Sequence, residues 1–371
     1  MLLDLLEELS PLPFVKFMEI CLYHPDYGYY ARGNLPGKEG DFVTAPCIHP
    51  VFGATIARQI IEMWEILGEP NDFIILEAGA GQGYLALDIL TYLRKKGYSF
   101  KYAIIEPYPA IKAVQEEVLQ DFLDDVSWYE APKNVPPFQG VFLANELFDA
   151  FPVHLLEKRN GELHEVWVEV KGGHIREFYE KICDPRVLRR VYRYFPYWCE
   201  GYRTEVCLTI EDFYRELSQK LIKGFFFIID YGYPRQDYYS PERTCGTLVC
   251  YYKHRLIDNP YLAPGHTDIS CHVDFTLLKE LGDKYGLLTL GFTQQGPFLV
   301  SCGIDRILQE VSERSYRDLN AVKRLILPEG LGGSHWVLVQ GRVFSNIFEV
   351  KLRGFSLSNR INLLVGDFRS V

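Results

Sequence analysis

The stretch IILEAGAGQG, residues 74–83, constrains the fold of this chain more than any other. A short apolar run at Phe73–Glu77 reads as a buried strand, Gly79, Gly81 and Gly83 follow, and helical spacing resumes over Leu85–Lys96. Glycines at such a junction let the backbone turn tightly and approach a ligand closely. The acid Glu77 precedes the triplet, and Glu106 stands 27 residues beyond Gly79, at the end of the next strand in IIEPYP. A carboxylate in that place can take both hydroxyls of a ribose. The plainer alternative is a tight strand-to-helix turn with no ligand.

The alternation continues. Tyr102–Ile105 reads as a strand, 110–123 as a helix opened by Pro109, Val126–Tyr129 as a weak strand and Gly140–Ala144 as a strong one. Val153–Lys158 and Leu163–Lys171, joined through Arg159-Asn160-Gly161, break the pattern as a β-hairpin. It resumes with a helix at 210–222, strand Phe225–Asp230, a helix at 273–285, strand Leu287–Phe292, helices at 303–313 and 317–326, and strand Trp336–Val343. This order predicts an α/β fold, a mostly parallel seven-stranded sheet with helices on both faces. The expected organisation is an N-terminal helix and lid loop (1–50), a first core part (51–151), an insertion (152–203), a second core part (204–343) and an extension of unknown role (344–371).

Charge and cysteine usage narrow the function. Forty-nine acidic against 39 basic residues give a net charge of −10, which disfavours phosphate backbones and attracts a cationic ligand or basic peptide. Nine cysteines without a C-x-x-C favour reduced thiols over a disulfide framework or zinc site. No uncharged apolar run approaches ~18 residues, so no membrane insertion is expected. The N-terminal segment MLLDLLEELSPLPF carries acids and no early base, unlike a targeting signal. The expected location is cytoplasmic, or the mitochondrial matrix if a presequence lies outside this chain.

The third glycine arrives one residue early for the dinucleotide pattern G-x-G-x-x-G, whose last place is taken by Tyr84. E-x-G-x-G-x-G resembles instead the nucleoside loop of class I methyltransferases, which bind S-adenosyl-L-methionine. FMEICLYHPDYGYY, GDFVTAP, VFGATIA, LEAGAGQG, ANELFDAFPV, IDYGY, GTLVCYYKH and DISCHVDF occur in order. Together they resemble the MidA-like methyltransferases over roughly residues 13–343. The resemblance implies a Rossmann-like class I fold. For the mitochondrial members it implies arginine dimethylation on a respiratory complex I subunit during its assembly. Carried over by position, Gly79, Gly81 and Gly83 line the cofactor and Glu106 holds its ribose. Asn145 and Glu146 close the loop after the fourth strand, while Tyr29, Tyr30, Asp41 and Thr44 come from the lid. Two stretches depart from the family: Gly330 to Leu338 read GLGGSHWVL where G-M-G-x-x-F-K-V-L is usual, and His49-Pro50 precedes VFG.

Methyl transfer needs alignment and exclusion of water, and no metal. An arginine acceptor suits two carboxylates that clamp its guanidinium bidentately. In LANELFDAFPVH, Glu146 and Asp149 lie three apart and would share a face if a helical turn begins there. The alternative is that Asn145, Glu146 and Asp149 cap a helix starting at Leu147. Asp230 and Tyr231 end a buried strand at the ligand edge, and His254 follows in GTLVCYYKH; all three are candidate substrate contacts. His266, Asp268, His272 and Asp274 lack a metal-ligand spacing, and no metal is expected. A methyltransferase for another residue or a small molecule, a non-enzymatic assembly scaffold and, more weakly, a nicotinamide dehydrogenase stand beside the arginine reading.

Overall fold

The computed structural model describes residues 2–33, 44–253, 255–312, 315–342 and 350–365. Seven strands form the central sheet: β1 (Phe73–Ala78), β2 (Lys101–Ile105), β3 (Val126–Tyr129), β4 (Phe138–Asn145), β5 (Leu221–Tyr233), β6 (Leu288–Gln294) and β7 (His335–Arg342). Their spatial order is β6-β7-β5-β4-β1-β2-β3. β3, β2, β1, β4 and β5 run parallel, and β7 runs antiparallel to both β5 and β6. A two-residue strand, Val273–Asp274, adds to the end of β5. The chain leaves β1 toward β2 on one side and returns as β4 on the other. That reversal opens a crevice at the carboxyl ends of the strands, where open α/β sheets bind ligands.

The period-two pattern of the strands explains the two faces. Val141, Leu143, Phe225, Phe227 and Ile229 pack with Val51–Ile66 and Tyr84–Lys95 on one side. Phe142, Ala144, Phe226 and Ile228 pack with Thr209–Lys220 and Phe275–Lys284 on the other. The expected 210–222 helix stops at Lys220, because Leu221 already pairs with Phe138 of β4.

The expected hairpin is present as His154–Arg159 and Glu162–Lys171, and it belongs to a larger sheet. His174–Lys181, Arg203–Val206 and the N-terminal Leu12–Pro13 complete it. Helices Leu2–Leu9 and Phe14–Tyr23 pack on this sheet through Leu6, Phe14, Phe17 and Leu22. A three-stranded sheet of Arg255–Ile257, Leu248–Tyr252 and Asp268–Cys271 joins the same apolar cluster through Cys250, Ile269 and Cys271. This assembly roofs the crevice. In the C-terminal stretch, Phe355 packs on Phe298 at 5.5 Å and Gly354 N–H donates to Gln59 Oε1 at 2.8 Å.

Phe226 is fully buried, with ring centroids 4.9 Å from Phe142 and 5.1 Å from Tyr214. Phe226→Ala is expected to cost about 3–5 kcal/mol, read as a lowered urea midpoint with an unchanged m-value.

Candidate active site

The loop after β1 forms the floor of the site. Gly79, Gly81 and Gly83 have φ of 70°, 53° and 89°, a region other residues enter only with strain. A Cβ on Gly79 would lie 2.9 Å from Leu147 Cδ1, so the turn after β4 rests directly on the glycine loop. Beside the loop opens a cavity of about 560 Å³, a size that suits a small ligand or cofactor. Glu77, the three residues Gly79 to Gly81, Glu106, Asn145 and Glu146 all line it.

Glu77 is 2% exposed and accepts from Tyr102 Oη at 2.7 Å; burial pushes its carboxyl up to about 7. Glu106 accepts from Tyr108 N–H at 3.0 Å and from Gln115 Nε2 at 3.1 Å, and burial pushes it up to about 7 as well. Gln115 also donates to the carbonyl of Gly81 at 2.9 Å, while its own Oε1 accepts from Trp128 Nε1 at 2.9 Å. One buried amide thus holds the second acid in register with the glycine loop. Sequence reasoning missed Gln115, whose only signal is its placement on the helix after β2.

The segment 145–152 departs from expectation. No helix begins at Leu147: a single 3₁₀ turn, Phe148–Ala150, stands there. Glu146 has φ of +50°, an uncommon and strained backbone for a residue with a side chain. Both the shared-face arrangement of Glu146 and Asp149 and the helix-capping alternative therefore give way. Glu146 turns to the cavity and Asp149 turns behind it. Asp230 shapes this turn. Its Oδ2 accepts from Leu147 N–H at 3.2 Å and Phe148 N–H at 2.9 Å, and its Oδ1 from Tyr231 N–H at 2.9 Å. It is fully buried and does not line the cavity, so the expected substrate contact is corrected to a backbone anchor.

Behind the cavity the acids cluster. Asp149 Oδ2 accepts from Tyr231 Oη, and its buried Oδ1 lacks a hydrogen-bond partner among the described residues. Asp268 accepts from Tyr30 Oη at 3.0 Å and Ser270 Oγ at 2.9 Å. Burial raises the carboxyls of Asp149 and Asp230; repulsion from Glu146 and Asp268 adds to it at Asp149, and repulsion from Asp149 and Glu146 at Asp230. Tyr231 therefore reaches the site through Asp149 and not through the cavity wall. Among the described residues no lysine or arginine pairs with Glu146, Asp149 or Asp230.

From the N-terminal segment, Tyr30 and Thr44 line the cavity, whereas Tyr29 is buried in the core. Asp41 and His254 lie outside the described residues. Tyr23 and Phe151 also line the cavity, as do Tyr108 and Phe213, which were not singled out in advance. Nor was His335, which lies 3.5 Å from Glu146 and falls in a stretch where the chain departs from its family. The four residues read against a metal site have other partners. Asp274 caps Phe275–Lys284 and binds Arg235 at 2.8 Å, His272 faces the carbonyl of Thr247 and His266 faces Arg32.

These features fit the nucleoside cofactor implied by the sequence: Gly79 and Gly81 in the floor, an acid at the end of β2 and an unpartnered buried oxygen, Asn145 Oδ1, at the cavity wall. Comparisons with known proteins agree. The pattern of an S-adenosyl-L-methionine-dependent methyltransferase family matches residues 55–293. A COG1565 superfamily protein from Burkholderia thailandensis, solved with S-adenosyl-homocysteine bound, is 31% identical with a TM-score of 0.88, covering 97% of this chain and 96% of its own. The Drosophila melanogaster mitochondrial protein named protein arginine methyltransferase NDUFAF7 homolog is 28% identical over 78% of this chain and 71% of its own. The Homo sapiens protein arginine methyltransferase NDUFAF7 is 27% identical over 82% and 73%.

The buried acids predict a pH dependence. Glu77 has a folded pKa of about 7, above an unfolded value of roughly 4.3. The folded chain binds the extra proton between those values, so this contribution to stability is full below roughly pH 4.3 and is lost as pH rises through 7. Urea midpoints of the cofactor-free protein are expected to fall between pH 5 and pH 8, and Glu77→Gln to flatten that slope.

Proposed function

This chain belongs to the MidA-like S-adenosyl-L-methionine-dependent methyltransferases, and we propose that its acceptor is the guanidinium of a protein arginine. The observation that carries this reading is the set of carboxylates at and behind the cavity wall without a lysine or arginine partner among the described residues. Buried carboxylates are costly unless a cation or hydrogen bonds offset them. An incoming guanidinium supplies the charge and up to five N–H donors.

The cofactor supplies an electrophilic methyl group on a sulfonium. Gly79 and Gly81 admit it to the backbone, Glu77 and Glu106 flank its sugar end, and Tyr30 and Thr44 cover it. Glu146 clamps the guanidinium beside Asn145 Oδ1, drawing positive charge away from the attacking nitrogen. Asp149, held by the Tyr231 hydroxyl, stands behind as a second carboxyl. Leu147 and Phe151 keep water from the cavity. The names of the Drosophila and human relatives support a protein arginine. We place it on a respiratory complex I subunit, as the family resemblance implies, in the mitochondrial matrix or a bacterial-type cytoplasm. No described helix is long and apolar enough to cross a membrane.

A second reading draws on Asn145, whose buried Oδ1 lacks a partner among the described residues. Such an oxygen suits a neutral amine or amide acceptor. Mass spectrometry of knockout against wild-type extracts separates the two readings by the residue that loses its methyl group.

Gly81→Val is expected to abolish calorimetric binding of S-adenosyl-homocysteine, because a branched side chain cannot adopt the left-handed backbone there without strain. Retained binding would count against the loop. Glu146→Gln is expected to keep cofactor binding and to lower transfer from labelled S-adenosyl-L-methionine to an arginine acceptor by at least tenfold. Normal transfer in Glu146→Gln rules out the clamp.

A further inference from the structure

Glu146 has a strained backbone and a side chain aimed at the cavity, and its carboxylate needs something to hold it. Three contacts fall on its Oε1. Ala45 N–H and Asn145 Nδ2 each approach to 3.4 Å, both long for a hydrogen bond. The third is His335 Nε2 at 3.5 Å. His335 opens β7, where it pairs with Tyr231 across the β5–β7 register. Its side chain is 5% exposed, and Nε2 is buried with no hydrogen-bond partner within the described residues. The other ring nitrogen, Nδ1, lies 3.0 Å from Ser334 Oγ. The ring stands edge-on to Tyr231 at 5.6 Å, which fixes its plane. A buried imidazole nitrogen left unpartnered is costly, and here it is pointed at a carboxylate within a few tenths of an ångström of bonding distance.

We propose that His335 is a positioning residue for Glu146. Ser334 Oγ–H donates to Nδ1, which places the ring proton on Nε2, and Nε2–H donates to Glu146 Oε1. The contact closes to hydrogen-bond length when the cavity is filled, as catalytic hydrogen bonds do on ligand binding. His335 anchors Oε1 from β7 while Asp230 anchors the backbone of the same turn from β5, so Glu146 is fixed at both ends. Oε2 is then free to turn to the acceptor. The charged and titratable groups facing the imidazole are Glu146 from the turn after β4, Tyr231 from β5, and His272 between Asp268–Cys271 and Val273–Asp274. Asp149 acts through Tyr231. The proposal rests on Glu146 acting at the acceptor.

Nitrogen-15 NMR of the full chain with S-adenosyl-homocysteine bound, labelled at histidine, tests the pairing without turnover. His335, assigned by the signal lost in His335→Gln, is expected to carry its proton on Nε2, and that resonance is expected to move in Glu146→Gln. A proton on Nδ1, or an Nε2 signal indifferent to Glu146→Gln, overturns the proposal. In a transfer assay with an arginine peptide, His335→Leu leaves an apolar side chain without a donor. It is expected to lower kcat about 10²-fold with S-adenosyl-homocysteine affinity unchanged. His335→Gln restores an N–H donor and is expected to recover most of that loss. A merely structural ring predicts the reverse order, and equal rates for the two variants also refute the role. If the arginine reading is wrong, the wild type methylates no arginine peptide while the NMR comparison still decides the fate of His335.

Discussion

Asp230, at the end of β5, spends its carboxylate on three backbone amides, and two of them belong to the turn that follows β4. This anchor fixes Leu147 and Phe148, which forces Glu146 into its left-handed backbone and presses Leu147 onto Gly79. The glycine loop after β1 and the acidic turn after β4 are thus held in one register by a side chain from a third strand. A fully buried carboxylate is expensive, and three N–H donors offset much of that cost. Strain at Glu146 persists because Asp230 over-determines the turn.

The roof of the cavity is tied to this floor by few but specific contacts. Tyr23 Oη donates to the carbonyl of Ala150 at 2.7 Å, and Tyr108 Oη to the carbonyl of Tyr23 at 2.9 Å. Tyr30 reaches Asp268 in the small three-stranded sheet. The N-terminal helices, the inserted sheet and that small sheet share one apolar cluster, so they cover the crevice as a body. Acids that repel one another stay together because tyrosine hydroxyls and backbone amides surround them, and a cationic guest would relieve the remaining repulsion.

Much of the fold was legible in the sequence. β1 through β4 emerge within a residue or two of the apolar runs; for β1, β2 and β4 this is because parallel strands buried on both faces are continuous in hydrophobicity. Gly79, Gly81 and Glu106 meet at one cavity, since they stand at carboxyl ends of adjacent strands, whereas Gly83 faces Leu119 and Gln115 instead. The strand His174–Lys181 was missed because its charges alternate at an edge where one side meets water. The pairing of Leu12–Pro13 with Glu162–Lys171 joins residues more than 150 apart, and no local pattern records it.

The sequence by itself determined which residues could touch a nucleoside: three glycines after a strand, acids at set distances, and an acidic turn after the fourth strand. These follow from local rules of periodicity and backbone freedom. Only the tertiary structure decided which acid faces the cavity. Glu146, Asp149 and Asp230 are alike as carboxylates at strand ends. Glu146 is turned outward by a strained φ, Asp149 is bound to Tyr231 from β5, and Asp230 is consumed by amides. His335 came to Glu146 from nearly two hundred residues away. Its role depends on the antiparallel register of β7, which is a property of the assembled sheet and of no single segment.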